Sequence, residues 1–231
     1  MKRFYDTVAV KELAGVFAVT LDGREIKTPQ KQLLAIPVRE LAQAVAAEWV
    51  AQEDDILPDS MPLTRMSNTA LDRVGPRREI VINELVNYAH TDLLCYREDA
   101  EQSLIKQQEE HWQTVLDWLD GEHDIHLLST SGILPITQND KAIARLSAII
   151  SQLSDFELTA FHALVTGFGS ISLGLALIKG FRNFDECWNA SILEQSFQEE
   201  AWGTDSEVDE KRTELNAEMQ MNLTFWRLLQ G

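Results

Sequence analysis

Apolar and polar residues alternate with a period of two near the start of the chain and with a helical period through most of the remainder. Val16, Ala18 and Thr20 alternate with Phe17, Val19 and Leu21, the pattern of a strand. Asp22-Gly23 supplies the residues a type I′ hairpin turn requires, and Arg24 to Thr28 reads as the return strand. Pro29 ends it, and Leu33 to Ile36 reads as another short strand, so the first 36 residues are strand-like. From Pro37 the period changes. Leu41, Val45, Trp49 and Gln52 fall on one helix face, with Ala42, Ala44, Ala46 and Ala47 as strong helix formers. Asp54 to Pro62 carries two prolines and reads as a connection.

Gly75-Pro76 predicts a boundary between two helices, with Pro76 at a first helical position. Three cap pairs predict helix starts: Ser154 with Glu157, Asn183 with Glu186, and Thr204 with Glu207. Gly121, Gly180 and Gly203 sit where helix C-termini are expected. Ser170 to Lys179 is apolar nearly all round, which predicts a helix buried on every side. The last helix repeats Val208, Arg212, Leu215, Met219, Leu223, Trp226 and Gln230, a run of roughly 40 Å at 1.5 Å per residue. The expected fold class is α+β: a small strand-rich N-terminal domain with one helix, residues 1–60, followed by a larger all-helical domain, residues 61–231.

Composition changes this picture in one respect. Hydrophobic content of 45% and charged content of 25% are ordinary for a globular chain. The balance of 20 Lys and Arg against 37 Asp and Glu is not, and it leaves a net charge of −17. Such a surface repels phosphate backbones and anionic headgroups, so nucleic acid is not expected, and with no window near 18 uninterrupted apolar residues neither is direct membrane insertion. It attracts basic protein surfaces and keeps a free protein in solution. Cys95 and Cys187 are far apart, without a Cys-x-x-Cys pair, which suits a reducing compartment. The N-terminus shows no signal-peptide or transit-peptide pattern, and a cytoplasmic location is expected.

The motifs of common chemistry do not assemble. Gly167-Phe168-Gly169-Ser170 follows a helix rather than a strand and reads as a close-packed corner, not a phosphate cradle. His123 and His126, with Glu122 and Asp124, fall in a polar segment after Gly121 and read as a solvated loop. His111 and His162 read as packing residues. No catalytic residue, metal ligand or cofactor is assigned. Trp49, Trp112, Trp118, Trp188, Trp202 and Trp226 all lie in predicted helices. Most are expected in the core, and one or two exposed at a rim would suit a protein-binding surface. Glu194 and Gln198 are one helical turn apart, on a line continued by Ala190 and Ala201. Glu194 is expected mid-helix, either meeting a partner's Arg or Lys or standing on a solvated face. Glu194, Gln198 and Trp202 are the candidate partner-binding residues, and Trp49 is the candidate structural residue.

Four segments carry a family resemblance: AAEWVAQ at Ala46 to Gln52, MPLTRMSNTALDRV at Met61 to Val74, TDLLCY at Thr91 to Tyr96, and LEQSFQEEAWGTDSE at Leu193 to Glu207. REIKTP at Arg24 to Pro29 adds to them. Together they resemble the assembly chaperones for the alpha subunit of the F₁ head of ATP synthase. The resemblance implies an ATP-independent chaperone that binds unassembled alpha subunit and protects the surface later covered by the beta subunit. It also implies a strand-containing N-terminal domain, a helical C-terminal domain, and importance for Glu194 and Trp49. Relatives often carry more acidic residues after that glutamate, where this chain has Gln195 and Ser196. The absence of a targeting pattern implies a bacterial member. A structural adaptor that stays in its complex and a small-molecule enzyme with a dispersed active site are the competing readings.

Overall fold

The hairpin forms where the alternation puts it. In the computed structural model, which describes residues 1–131, 135–203 and 206–231, strands β1 (Val8–Leu13) and β2 (Val16–Leu21) pair antiparallel, Val8 opposite Leu21. Strand β2 also pairs with β3 (Arg24–Glu25) and β4 (Ala35–Ile36). The turn between β2 and β3 has φ of 48° at Asp22 and 78° at Gly23, the left-handed pair that a I′ hairpin needs. The Asp22 carboxylate accepts from the backbone N–H of Asp6 and Thr7, which fixes the approach to β1. Strand β1 was not singled out by its residues. As the sheet edge it has little buried side-chain area, and Lys11 and Glu12 engage Glu25 and Arg39.

Helix α1 (Arg39–Val50) buries Leu41, Ala42, Val45 and Ala46 against the sheet. Helix α2 (Pro62–Thr69) follows, and α3 is Arg78–Asn87. The expected boundary at Gly75-Pro76 falls between α2 and α3, with Pro76 in the first positions of a 3₁₀ turn and no non-helical break. Residues 70–74 form a wide π turn closed by Gly75 N–H donating to Ala70 C=O, and a 3₁₀ turn follows at Gly75–Arg77. The physical reason is Pro76, which lacks an N–H and whose ring would strike the carbonyl four residues back in a regular α-helix. The wider turn removes the clash and keeps the chain helical.

The next elements are β5 (Tyr96–Arg97), α4 (Gln102–Gln108), α5 (Thr114–His123) and β6 (Thr130–Ser131). They are followed by α6 (Asp140–Ile150), α7 (Asp155–Phe168), α8 (Ile171–Ile178), α9 (Phe184–Ser191), α10 (Leu193–Trp202) and α11 (Ser206–Leu229). The fold is therefore α+β, strand-rich at the N-terminus and almost entirely helical afterwards. The Ser154/Glu157 and Asn183/Glu186 pairs form reciprocal capping boxes. Thr204 lies outside the described residues. Gly180 and Gly203 leave α8 and α10 with positive φ, but Gly121 does not end α5. That helix continues to His123 and stops at Asp124, where φ is 56° and the Lys141 ammonium holds the carboxylate at 2.8 Å.

The chain divides into two compact units. One comprises residues 1–78, 153–160 and 221–231. Its interior contains Ala18, Val19, Ile36, Leu41 and Val45, and a second cluster of Tyr5, Leu21, Ile56 and Met61. Phe156 and Phe225 stack in the same unit with centroids 6.1 Å apart. The other comprises residues 79–152 and 161–220. Helix α8 is at its centre, with every residue from Ile171 to Leu177 buried. Near the end of α7, a Cβ on Gly167 would strike the Met219 side chain, so the glycine lets Met219 pack closely there.

Candidate partner-binding surface

The acidic residues within the resemblance-bearing segments fall into two groups, which sequence alone did not separate. One group builds structure. Both Glu48 carboxylate oxygens accept from the N-terminus of α2, from Leu63 N–H at 2.7 Å and from Thr64 N–H at 2.8 Å. They replace the side-chain cap that Met61 cannot provide. Asp72, on the π turn, accepts from Thr28 Oγ1 at 2.7 Å and Gln30 N–H at 3.0 Å and so holds the loop after β3. Asp92 is fully buried and accepts from Leu94 N–H, Ser170 Oγ, Ser172 N–H and Ser172 Oγ, all within 2.9 Å. It is the anion at the N-terminus of α8. Burial pushes its carboxyl up, and those hydrogen bonds pull the other way.

Glu194 belongs to the second group. It lies in the first turn of α10, not mid-helix as expected, because α9 ends at Ser191 and the backbone breaks at Ile192, with φ −106° and ψ 11°. Ala190 is thereby on a different helix and buried. Its carbonyl accepts from Trp112 Nε1 at 2.8 Å, so the small-residue stripe through Ala190 is not a continuous exposed line. Glu194 is half-buried, and its Oε1 accepts from Gln108 Nε2 at 2.8 Å. Gln108, only 1% exposed, is fixed in turn: its Oε1 accepts from Glu98 N–H at 2.9 Å, and its carbonyl accepts from Arg97 Nη1 at 3.0 Å. Burial raises the Glu194 carboxyl above the usual carboxylate range, the nearby Glu98 charge adds to this, and the Gln108 hydrogen bond opposes both. Among the described residues no Lys, Arg or His forms an ion pair with Glu194 within 4.0 Å.

Gln198 and Trp202 follow Glu194 along α10 at successive helical turns, and both are exposed, Trp202 to 83%. Glu199, one turn before Trp202, is in an ion pair with Arg212 of α11. Trp49 lies in the other unit, where its ring meets Tyr5 edge-on at 5.8 Å beside Ile56 and Met61. Its Nε1 is buried without a hydrogen-bond partner. Of the other tryptophans, Trp112, Trp188 and Trp226 are buried and Trp118 is half-buried against Phe181 and His123.

The Gln108–Glu98–Arg97 support for Glu194 was missed by sequence reasoning. Gln108 and Glu194 are 86 residues apart, and no periodicity connects them. His111, expected to pack, is exposed, because the π turn at Glu109–Gln113 directs Trp112 rather than His111 into the interior. His162 is half-buried, with burial holding its imidazole below the usual range and Glu84, 3.9 Å away, opposing. His126 pairs with Asp120 at 3.0 Å. Among the described residues no three His, Cys, Asp or Glu side chains converge as a metal site, and no helix is long and apolar enough to cross a membrane. Cys187 is buried, and its thiol is pushed up to about 12. Burial raises the Cys95 thiol further.

The fold is that of a class of chaperones. Residues 2–120 match the family described as ATP12 chaperone protein, and the chain belongs to that family. The crystal structure of Atp12 from Paracoccus denitrificans is 39% identical, with a TM-score of 0.94 over 98% of this chain and 97% of that one. The Atu1473 protein of Agrobacterium tumefaciens is 32% identical, with a TM-score of 0.93 over 99% of this chain and 86% of that one. The mitochondrial protein atp12 of Schizosaccharomyces pombe is 25% identical over 220 residues, 88% of this chain and 74% of that protein.

Proposed function

We propose that this chaperone holds the unassembled alpha subunit of the F₁-ATPase, without ATP, and protects the surface later covered by the beta subunit. In a bacterium it would act in the cytoplasm. The observation that carries the reading is Glu194. A half-buried carboxylate, positioned by a buried glutamine and repelled by Glu98, has no ion-pair partner among the described residues of its own chain. Such a group is favourably completed by an Arg or Lys from a partner. Gln198 and Trp202 extend the same helix face and supply hydrogen-bonding and apolar area next to that charge. Trp49 acts through the packing of α1 against the N-terminal segment.

Size-exclusion chromatography of the chaperone mixed with isolated alpha subunit, and separately with the assembled nucleotide-loaded head, tests the proposal. The expected result is a complex with the isolated subunit alone. Equal binding to the complete head would overturn the holding reading, and co-purification with finished ATP synthase would establish an adaptor instead.

A further inference from the structure

Three large apolar side chains stand around the Glu199–Arg212 bridge. Trp202 is one turn beyond Glu199 on α10. Val208 and Leu215 are one turn to either side of Arg212 on α11, exposed to 37% and 38%. The bridge is well covered, each side chain being 17% exposed, and Arg212 Nε is buried without a partner. The apolar repeat expected to run the length of α11 is therefore covered only in its later part, at Met219, Leu223 and Trp226, and is open at Val208 and Leu215.

The charge around these residues is one-sided. From Glu194 to Gln220 the only cations are Lys211 and Arg212. Lys211 is held by Glu207 at 2.7 Å and Arg212 by Glu199, with Asp209 at 3.9 Å. Glu214 and Glu218, which border Leu215 on α11, are exposed, and Glu194 flanks the Trp202 line on α10. We propose that Trp202, Val208 and Leu215 form an apolar strip that takes a basic amphipathic segment of the partner, its apolar side chains on the strip and its Lys or Arg facing Glu194, Glu214 and Glu218. A second copy of this chain is a poor occupant, because two surfaces from a chain of net charge −17 repel. This rests on the holding reading for the site but adds the helix α11 and the chemistry of the bound segment.

The test uses the full chain with fluorescent Leu/Lys and Leu/Glu amphipathic peptides and with isolated alpha subunit, read by anisotropy. Trp202→Ser and Leu215→Ser remove apolar area from exposed positions without changing charge, so attraction by net charge alone leaves them unaltered. The expected result is binding of the Leu/Lys peptide only, weakened ~10-fold or more by either substitution, as for anchor residues in an interface, with partial recovery in Trp202→Phe and unchanged melting curves. Equal binding by the serine variants, binding of the Leu/Glu peptide, or binding of neither peptide overturns the proposal. So does alpha-subunit capture undiminished in both serine variants, an outcome that leaves the holding reading intact. Peptide binding lost in the variants while the wild-type chain captures no alpha subunit supports the strip and refutes the holding reading.

Discussion

Replacing Glu194 by Gln keeps the side chain's shape and removes its charge, so it separates a binding role from a folding one. In the free protein two effects oppose. The Gln108 hydrogen bond loses its charge assistance, while the cost of a half-buried carboxylate facing Glu98 disappears. The direction of the pH effect follows from the raised carboxyl. A group whose folded pKa lies above its unfolded value contributes its stability below the unfolded value and loses it as pH rises through the folded one. At neutral pH the ionised Glu194 is therefore a small net cost to the free fold. The variant should melt within ~2 °C of the parent, a difference of about 0.5 kcal/mol for a chain of this size. In the complex the balance reverses. Truncating one partner of a desolvated charge pair costs about 2–5 kcal/mol, and the lower end applies here because Glu194 is only half-buried. A loss of about 2 kcal/mol is a ~30-fold weaker Kd. Titration of isolated alpha subunit from pH ~5 to ~8, with thermal melts at each pH, reads both quantities. Capture by the parent should weaken as pH falls through the raised carboxyl pKa, and the variant should lack that component. An unchanged Kd with normal stability would show that Glu194 is a solvated residue, and a melting temperature several degrees lower would show that it is structural.

Trp49→Ala should lower the melting temperature by ~6–12 °C, about 3 kcal/mol for a partly covered indole in a chain of this length, as read by calorimetry. A stable variant that fails only to bind would contradict its packing role. Asp92→Asn places an amide donor against at least one of the N–H groups now held by the carboxylate, and chemical denaturation should show a loss of about 1–3 kcal/mol. Gly167→Ala should cost about 1–3 kcal/mol by forcing Met219 aside, and adding Met219→Ala should recover part of that loss in a double-mutant cycle.

Local rules carried much of the fold. The hairpin at Asp22-Gly23 and the capping boxes at Ser154 and Asn183 depend on residues within a few positions of one another, and the structure agrees with each. Where local rules failed, a neighbouring preference prevailed. Helix α5 continued past Gly121 to a left-handed Asp124 that Lys141 secures.

Sequence by itself determined the class of fold, the acidic character, the family resemblance and the segment that holds Glu194, Gln198 and Trp202, because all of these are properties of adjacent residues. Only the tertiary structure decided what each acidic residue does. Glu48 is committed to α2 from 15 and 16 residues away, Asp92 to α8 from 78 and 80, and Glu194 to Gln108 from 86. It also decided that the two units are assembled from discontinuous stretches of chain, and that Trp202 stands in solvent while Trp112 is enclosed. The physical reason is that burial and charge pairing depend on which distant segments are brought together, whereas periodicity and capping depend only on neighbours along the chain.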